Sequence, residues 1–146
     1  MGEFRKLSDT FYASPQVSPQ DISEAAAMGM ALVVNNRPDG EAADQPEGAA
    51  IEAATRAAGM DYLAIPIGSA GFSEPQVERL QDALASAQGP VLGFCRSGTR
   101  STLLWSLAKA RSGGDPDAIA EAAASVGYDV SSVRPAMDMF AARAAE

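Results

Sequence analysis

The chain has 146 residues and a mass of 15.0 kDa, 47% of it apolar and 21% charged, which suits one globular domain able to bury roughly two thirds of its unfolded surface. A net charge of -8 disfavours nucleic acid and anionic membrane as partners, and the lack of any histidine removes imidazole bases, Ser-His triads and histidine metal sites together. A single Cys excludes an internal disulfide; the charged N-terminus lacks a secretory apolar core and no apolar run approaches the ~20 residues of a bilayer span, so a cytoplasmic protein is expected.

In chain order, the weak alternation of residues 4–14 predicts one or two short strands ending at Pro15. Ser18-Pro19-Gln20-Asp21 has an N-cap serine with Pro in the first helical position, predicting a helix to about Met28 that Gly29 stops. Ala31–Asn35 is a short β-branched run suited to a buried parallel strand. A loop of Asn, Pro, Asp and Gly follows over 36–46, then an amphipathic helix over Glu47–Ala58 closed by Gly59 and a strand over Tyr62–Ile67.

Ser73-Glu74-Pro75-Gln76 repeats the cap-then-Pro signature and opens a helix reaching Gly89. Val91–Phe94 is the next strand, Ser101–Ala110 a mostly buried helix, and two further helices cover about Asp115–Ser125 and Ser131–Ala145. Trp105 and the methionines Met28, Met30, Met60, Met137 and Met139 are expected to pack in the interior. This alternation predicts an α/β fold: a central, mainly parallel sheet flanked by helices, in one domain over residues 1–146.

In such sheets ligands bind beyond the carboxyl ends of the strands, and Cys95 stands at that point. The residues after it, Arg96, Ser97, Gly98, Thr99, Arg100 and Ser101, would turn a run of backbone N–H groups inward at a helix start, with Gly98 permitting the tight turn. The thiol beside Arg100 in that cradle is expected as thiolate, a nucleophile that needs no histidine. A packing cysteine would not need these six residues after it. For Arg96, solvent or a partner is the competing reading.

The heptamer Cys95–Ser101 resembles the active loop of single-domain rhodaneses and, more loosely, that of dual-specificity phosphatases. Together with Phe4-Arg5-Lys6-Leu7, Ser14-Pro15-Gln16, Asn36-Arg37-Pro38-Asp39-Gly40-Glu41, Gln45-Pro46, Ile65-Pro66 and Gly127-Tyr128-Asp129, it is similar to a bacterial phosphatase-like family also found fused to beta-lactamase-fold persulfide dioxygenases. The resemblance implies a dual-specificity-phosphatase-like fold, no cofactor, no metal, and a persulfide dioxygenase as a candidate partner. Tyrosine phosphatases place five residues between nucleophile and arginine, whereas four separate Cys95 from Arg100 here, as in many rhodaneses. The loop after Ile67 carries no acid before Glu74, and Phe94 stands where phosphatases commonly have a histidine.

The leading expectation is therefore a rhodanese-type sulfurtransferase. Cys95 would take the outer sulfur of thiosulfate or a persulfide as its own persulfide and pass it to a thiol acceptor, with Arg96, Ser97, Gly98, Thr99 and Arg100 binding the anionic end. The alternative is a phosphoester hydrolase working through a Cys95 phosphocysteine, with Arg100 and the loop amides on the oxyanions and Ser101 assisting the departing thiolate. Asp39, Glu41 or Asp44 from the 36–46 loop would then be the acid. For Asp39 a turn role competes with the catalytic one, and Asn36 and Arg37 order the loop, bind the anion or face solvent. A third reading is a non-catalytic sulfur carrier or anion-binding module.

Overall fold

Short apolar runs become strands and the longer amphipathic stretches become helices in the computed structural model, which describes residues 2–146. The strands are β1 (Arg5–Ser8), β2 (Phe11–Ser14), β3 (Leu32–Asn35), β4 (Asp61–Ala64) and β5 (Val91–Phe94), in the sheet order β1-β2-β5-β3-β4. β5 pairs in parallel with β2 and β3, β3 pairs in parallel with β4, and β1 joins β2 as an antiparallel hairpin. β3 and β5 are buried along their whole length, which is why they read as unbroken apolar runs.

The helices are α1 (Pro19–Ala27), α2 (Gly48–Ala57), α3 (Glu74–Ser86), α4 (Thr99–Arg111), α5 (Pro116–Ser125) and α6 (Arg134–Ala144), with one 3-10 turn at Ser131–Val133. Successive strand side chains point to opposite faces. Val33, Leu92 and Phe94 meet Ile22 and Ala25 of α1 and Ile51 of α2, whereas Leu32, Val34 and Val91 lie in the larger core with residues of α3 to α6. Gly93 lets the sheet close on that side: a Cβ there would come within 2.6 Å of the Phe11 ring, which stacks on Trp105 at a centroid distance of 6.1 Å. Truncating a buried aromatic such as Phe11 to Ala would cost about 3–5 kcal/mol.

Both expected capping signatures form complete boxes, Ser18 with Asp21 and Ser73 with Gln76. Differences from expectation lie at element ends. β4 stops at Ala64 rather than Ile67, because Pro66 has no N–H to donate, although Ile65 and Ile67 still donate to the carbonyls of Asn35 and Asn36. α4 starts at Thr99, two residues before Ser101, because Gly98 takes the left-handed conformation (φ 90°) and turns the chain into the helix early. Trp105 is buried, as are Met30, Met60 and Met137. Met28 and Met139, expected inside, are exposed instead, since the first lies at the C-terminal end of α1 and the second on the outer side of α6.

Because β5 lies between β2 and β3, the loops leaving β2, β3, β4 and β5 converge at one edge of the sheet. Cys95 is at the centre of that edge.

Candidate active site

β5 delivers Cys95 to the sheet edge fully buried, its N–H donating to the Ser14 carbonyl at 3.3 Å. Its Sγ accepts from the Gly98 N–H at 3.1 Å, so the loop folds back over the sulfur. Gly98 is required twice: its φ is one that side-chain-bearing residues rarely adopt, and a Cβ would sit 2.1 Å from the Tyr128 hydroxyl. That hydroxyl donates to the Ser97 carbonyl at 3.0 Å, and the Arg5 guanidinium lies 5.0 Å from the centre of the Tyr128 ring. Burial raises the Tyr128 pKa, opposed by the Arg5 charge.

α4 therefore begins at the sulfur with a glycine that offers no capping side chain, and only its first N–H, that of Thr99, meets a side chain, the Ser97 hydroxyl at 3.3 Å. Its first-turn amides and the positive end of its dipole face the strand ends. Arg96, Ser97 and Thr99 are exposed at the rim, where the Ser97 hydroxyl donates to Thr99 Oγ1 at 2.9 Å. Ser101 is buried beneath, and its hydroxyl donates to Asn36 Oδ1 at 2.7 Å rather than to sulfur.

Arg100, emerging from the first turn of α4, meets groups from two other loops. Nη1 and Nη2 donate to Glu41 Oε2 and Oε1 at 2.7 and 2.9 Å, and Nη1 also donates to the Ile67 carbonyl at 2.8 Å. Of the five guanidinium N–H groups these use three, leaving Nε–H and the second Nη2–H, which lie parallel on the side edge, without an oxygen acceptor among the described residues. The Arg100 pKa is raised chiefly by the Glu41 hydrogen bond, against the opposing effect of burial and with a further push from the Cys95 sulfur.

The 36–46 loop divides its residues between roles. Asn36 is a buried cross-brace: its N–H donates to the Phe94 carbonyl, its Nδ2 to the Ile65 carbonyl, and its Oδ1 receives Ser101. Arg37 is neither solvated nor open to the rim. It is 6% exposed, with Nε donating to Glu41 Oε1 and Nη1 to Gln16 Oε1, each at 3.0 Å. Asp39 accepts the Gly48 N–H at 2.8 Å and so holds the first turn of α2, a contact that neither the turn nor the acid reading anticipated. Asp44 is exposed. Glu41 does reach the site, but its pKa is lowered from 4.5 to about 2 by the Arg100 hydrogen bond, with burial opposing and Arg37 adding, so it stands ionised rather than ready to give a proton.

The fold thus brings together Cys95, Gly98, Arg100, Ser101 and Asn36, leaves Arg96, Ser97 and Thr99 on the rim, holds Arg37 behind Glu41, and turns Asp39 away. Gln16 and Tyr128, not singled out as site residues from sequence, close the back of the loop. The only signal for them was their place in short motifs, Ser14-Pro15-Gln16 and Gly127-Tyr128-Asp129. Among the described residues no group of three or more Cys, Asp or Glu could hold a metal ion, and no helix is long and apolar enough to cross a membrane.

The family profile described as "Beta-lactamase hydrolase-like protein, phosphatase-like domain" matches residues 3–112. A Beta-lactamase hydrolase-like protein of Agrobacterium fabrum is 36% identical over 104 residues, covering 71% of this chain and 24% of that protein. One from Xylella fastidiosa is 33% identical over 103 residues, covering 70% and 24%. The chain spans about a quarter of the length of these curated relatives. Among solved structures, a candidate phosphatase from Neisseria meningitidis superposes with a TM-score of 0.80 at 32% identity, covering 92% of this chain and 96% of that one. Tk-PTP in its active form shares the fold, with a TM-score of 0.73 at 17% identity over 96% and 97% of the two chains.

Proposed function

The chain belongs to the phosphatase-like domain family of the beta-lactamase hydrolase-like proteins, and from that premise we propose that it hydrolyses phosphoesters through a Cys95 phosphocysteine. The observation that carries the reading is Arg100: it is fixed by Glu41 and the Ile67 carbonyl, and its side edge is left free of oxygen acceptors next to a glycine-led helix start and a buried sulfur. Two parallel donors of that kind match two oxygens of a tetrahedral oxyanion.

In the first step the Cys95 thiolate attacks phosphorus. The S–P bond forms as the P–O bond to the leaving group breaks, and the electron pair departs on that oxygen. Arg100 and the amides at the start of α4 bind the equatorial oxygens, whose charge they stabilise most at the transition state. Water then attacks phosphorus, the S–P bond breaks, and phosphate leaves with the thiolate restored. Ser101 assists that departure only if its hydroxyl turns from Asn36 to the sulfur. With Glu41 ionised and Asp39 engaged on α2, no carboxylic acid is poised for the leaving oxygen, so the favoured substrates are esters whose leaving groups depart as stable anions, aryl phosphates above all.

Sulfur transfer, the leading expectation from the four-residue spacing, is not supported by the comparisons, in which the family profile is described as phosphatase-like and the Neisseria structure as a candidate phosphatase. The test is to measure p-nitrophenyl phosphate hydrolysis and thiosulfate-to-cyanide sulfur transfer on one preparation. Phosphate turnover should be the more efficient, and Cys95→Ser should lower it by about a thousandfold or more with unchanged circular dichroism. More efficient sulfur transfer would overturn the proposal.

A further inference from the structure

We propose that Tyr128 is a positioning residue for the active loop, its hydroxyl holding the Ser97–Gly98 peptide in the orientation that aims an N–H at the Cys95 sulfur. The inference rests on the reading of Cys95 as the nucleophile of an anion-binding loop, and it holds for phosphate and sulfur chemistry alike. The Ser97 carbonyl and the Gly98 N–H belong to one trans peptide, so they point in opposite directions. The Tyr128 hydroxyl donates to that carbonyl at 3.0 Å on one side, and the N–H donates to Cys95 Sγ at 3.1 Å on the other. What grips the oxygen therefore aims the hydrogen.

The backbone alone does not enforce this orientation. Half a turn of the peptide takes Gly98 from φ 90° to about −90°, and glycine accepts both. The flipped peptide would turn the Ser97 carbonyl onto the thiolate, repelling it and any oxyanion that it meets, and would withdraw the Gly98 N–H. The glycine that the tight turn requires is thus the place where the loop is least defended against a flip.

Tyr128 is itself held from several directions. Its N–H donates to the Ala123 carbonyl at 3.0 Å and its ring is buried. The Arg5 guanidinium lies over that ring while Nη1 donates to the Val126 carbonyl at 3.1 Å. Burial raises the Tyr128 pKa, so the hydroxyl keeps its proton and stays a donor when the thiol beyond the peptide ionises. The competing reading makes Tyr128 a core aromatic whose hydroxyl takes the nearest acceptor. On that reading Tyr128→Phe costs some stability and leaves the sulfur as it was. On ours the ring stays packed, the carbonyl is freed, and the thiolate and the anion both lose an oriented donor.

The experiment uses the single cysteine as its own probe. The ultraviolet absorbance of the thiolate is titrated with pH in wild type and Tyr128→Phe, each with its Cys95→Ser counterpart subtracted. Tungstate binding by titration calorimetry, p-nitrophenyl phosphate kinetics and thermal unfolding are measured beside it. In Tyr128→Phe the midpoint of the thiolate titration should rise by about half a pH unit or more, while tungstate affinity and kcat/KM each fall by about fivefold or more. An unchanged midpoint in folded Tyr128→Phe overturns the proposal, as does unchanged tungstate affinity. Should Tyr128→Phe unfold, Arg5→Met, which takes the cation from the ring, is expected to shift the midpoint the same way, and no shift there overturns the proposal. A wild-type protein that does not bind tungstate overturns the anion-loop reading and this inference together. Sulfur transfer that outruns phosphate turnover strikes the phosphoester reading alone, and a failure confined to the variants strikes the inference alone.

Discussion

Helices α3 and α4 both start at the carboxyl edge of the sheet, but their first turns are built for opposite ends. The α3 start is sealed by its own sequence: Ser73 Oγ accepts the Gln76 N–H, Gln76 Oε1 accepts the Ser73 N–H, and Pro75 removes one donor. The α4 start follows a glycine that offers no capping side chain, with the Ser97 hydroxyl on the Thr99 N–H alone, and its flanking arginine is held by a carboxylate on one edge only. α2 is an intermediate case, capped from nine residues away by Asp39. At the α4 start the protein's own side chains supply only the Ser97 hydroxyl to the Thr99 N–H, and the glycine that replaces a capping side chain is also what lets the loop close on sulfur.

The largest test of this contrast after loss of the thiol is Arg100→Lys. Keeping the charge but losing the fork should cost about a hundredfold in kcat/KM for aryl phosphate, while the same change at Arg79, which bonds the Ala64 carbonyl beside α3, should leave kcat/KM within about twofold. Next is Gly98→Ala. The left-handed φ and the Tyr128 contact should together destabilise the protein by about 2 kcal/mol or more in urea titration and displace the loop, with a tenfold or greater loss of turnover.

Ser97→Asp replaces the hydroxyl that accepts the Thr99 N–H with a charged, stronger acceptor at the start of α4. The unfolding midpoint should rise, by about 0.5–1 kcal/mol of stability, while tungstate binding weakens. Ser73→Ala should do the reverse, losing about 1 kcal/mol of stability with turnover unchanged. A Ser97→Asp protein that binds tungstate as well as wild type would erase the proposed difference between the two helix starts.

The smallest expected effect is on acid stability. Glu41 has its folded pKa lowered from 4.5 to about 2, so its ionised form contributes stability in full above the ordinary value, and that contribution is lost as pH falls from about 4.5 through 2. Urea titrations between pH 5 and 2 should show a shallower decline for Glu41→Gln than for wild type, and above pH 5 the two pH profiles should run parallel.

Much of this architecture was legible because it is local. Ser18 and Ser73 cap within three residues, the four residues Val91–Phe94 form the central strand to the residue, and Cys95 follows a buried strand with its glycine three positions on. Arg37 was not legible: nothing in Asn36-Arg37-Pro38 distinguishes a solvated arginine from one buried between Gln16 and Glu41, since its partners come from another loop and from the next turn of its own. The exposed Met28 and Met139 misled for the same reason in reverse, as apolar character does not say which side of a helix the rest of the chain will cover.

By itself the sequence determined the alternation of strand and helix, the buried middle of the sheet and the polar loop around the lone thiol, because periodicity, capping and turn chemistry act over a few residues. Only the tertiary structure decided which carboxylate serves Arg100. Asp39 and Glu41 are two residues apart and chemically alike, but the left-handed turn at Gly40 lies between them, and they part to α2 and to α4. Glu41 is 59 residues from Arg100 and Tyr128 is 31 from Ser97, distances closed only when β5 slots between β2 and β3 and gathers their loops at one edge.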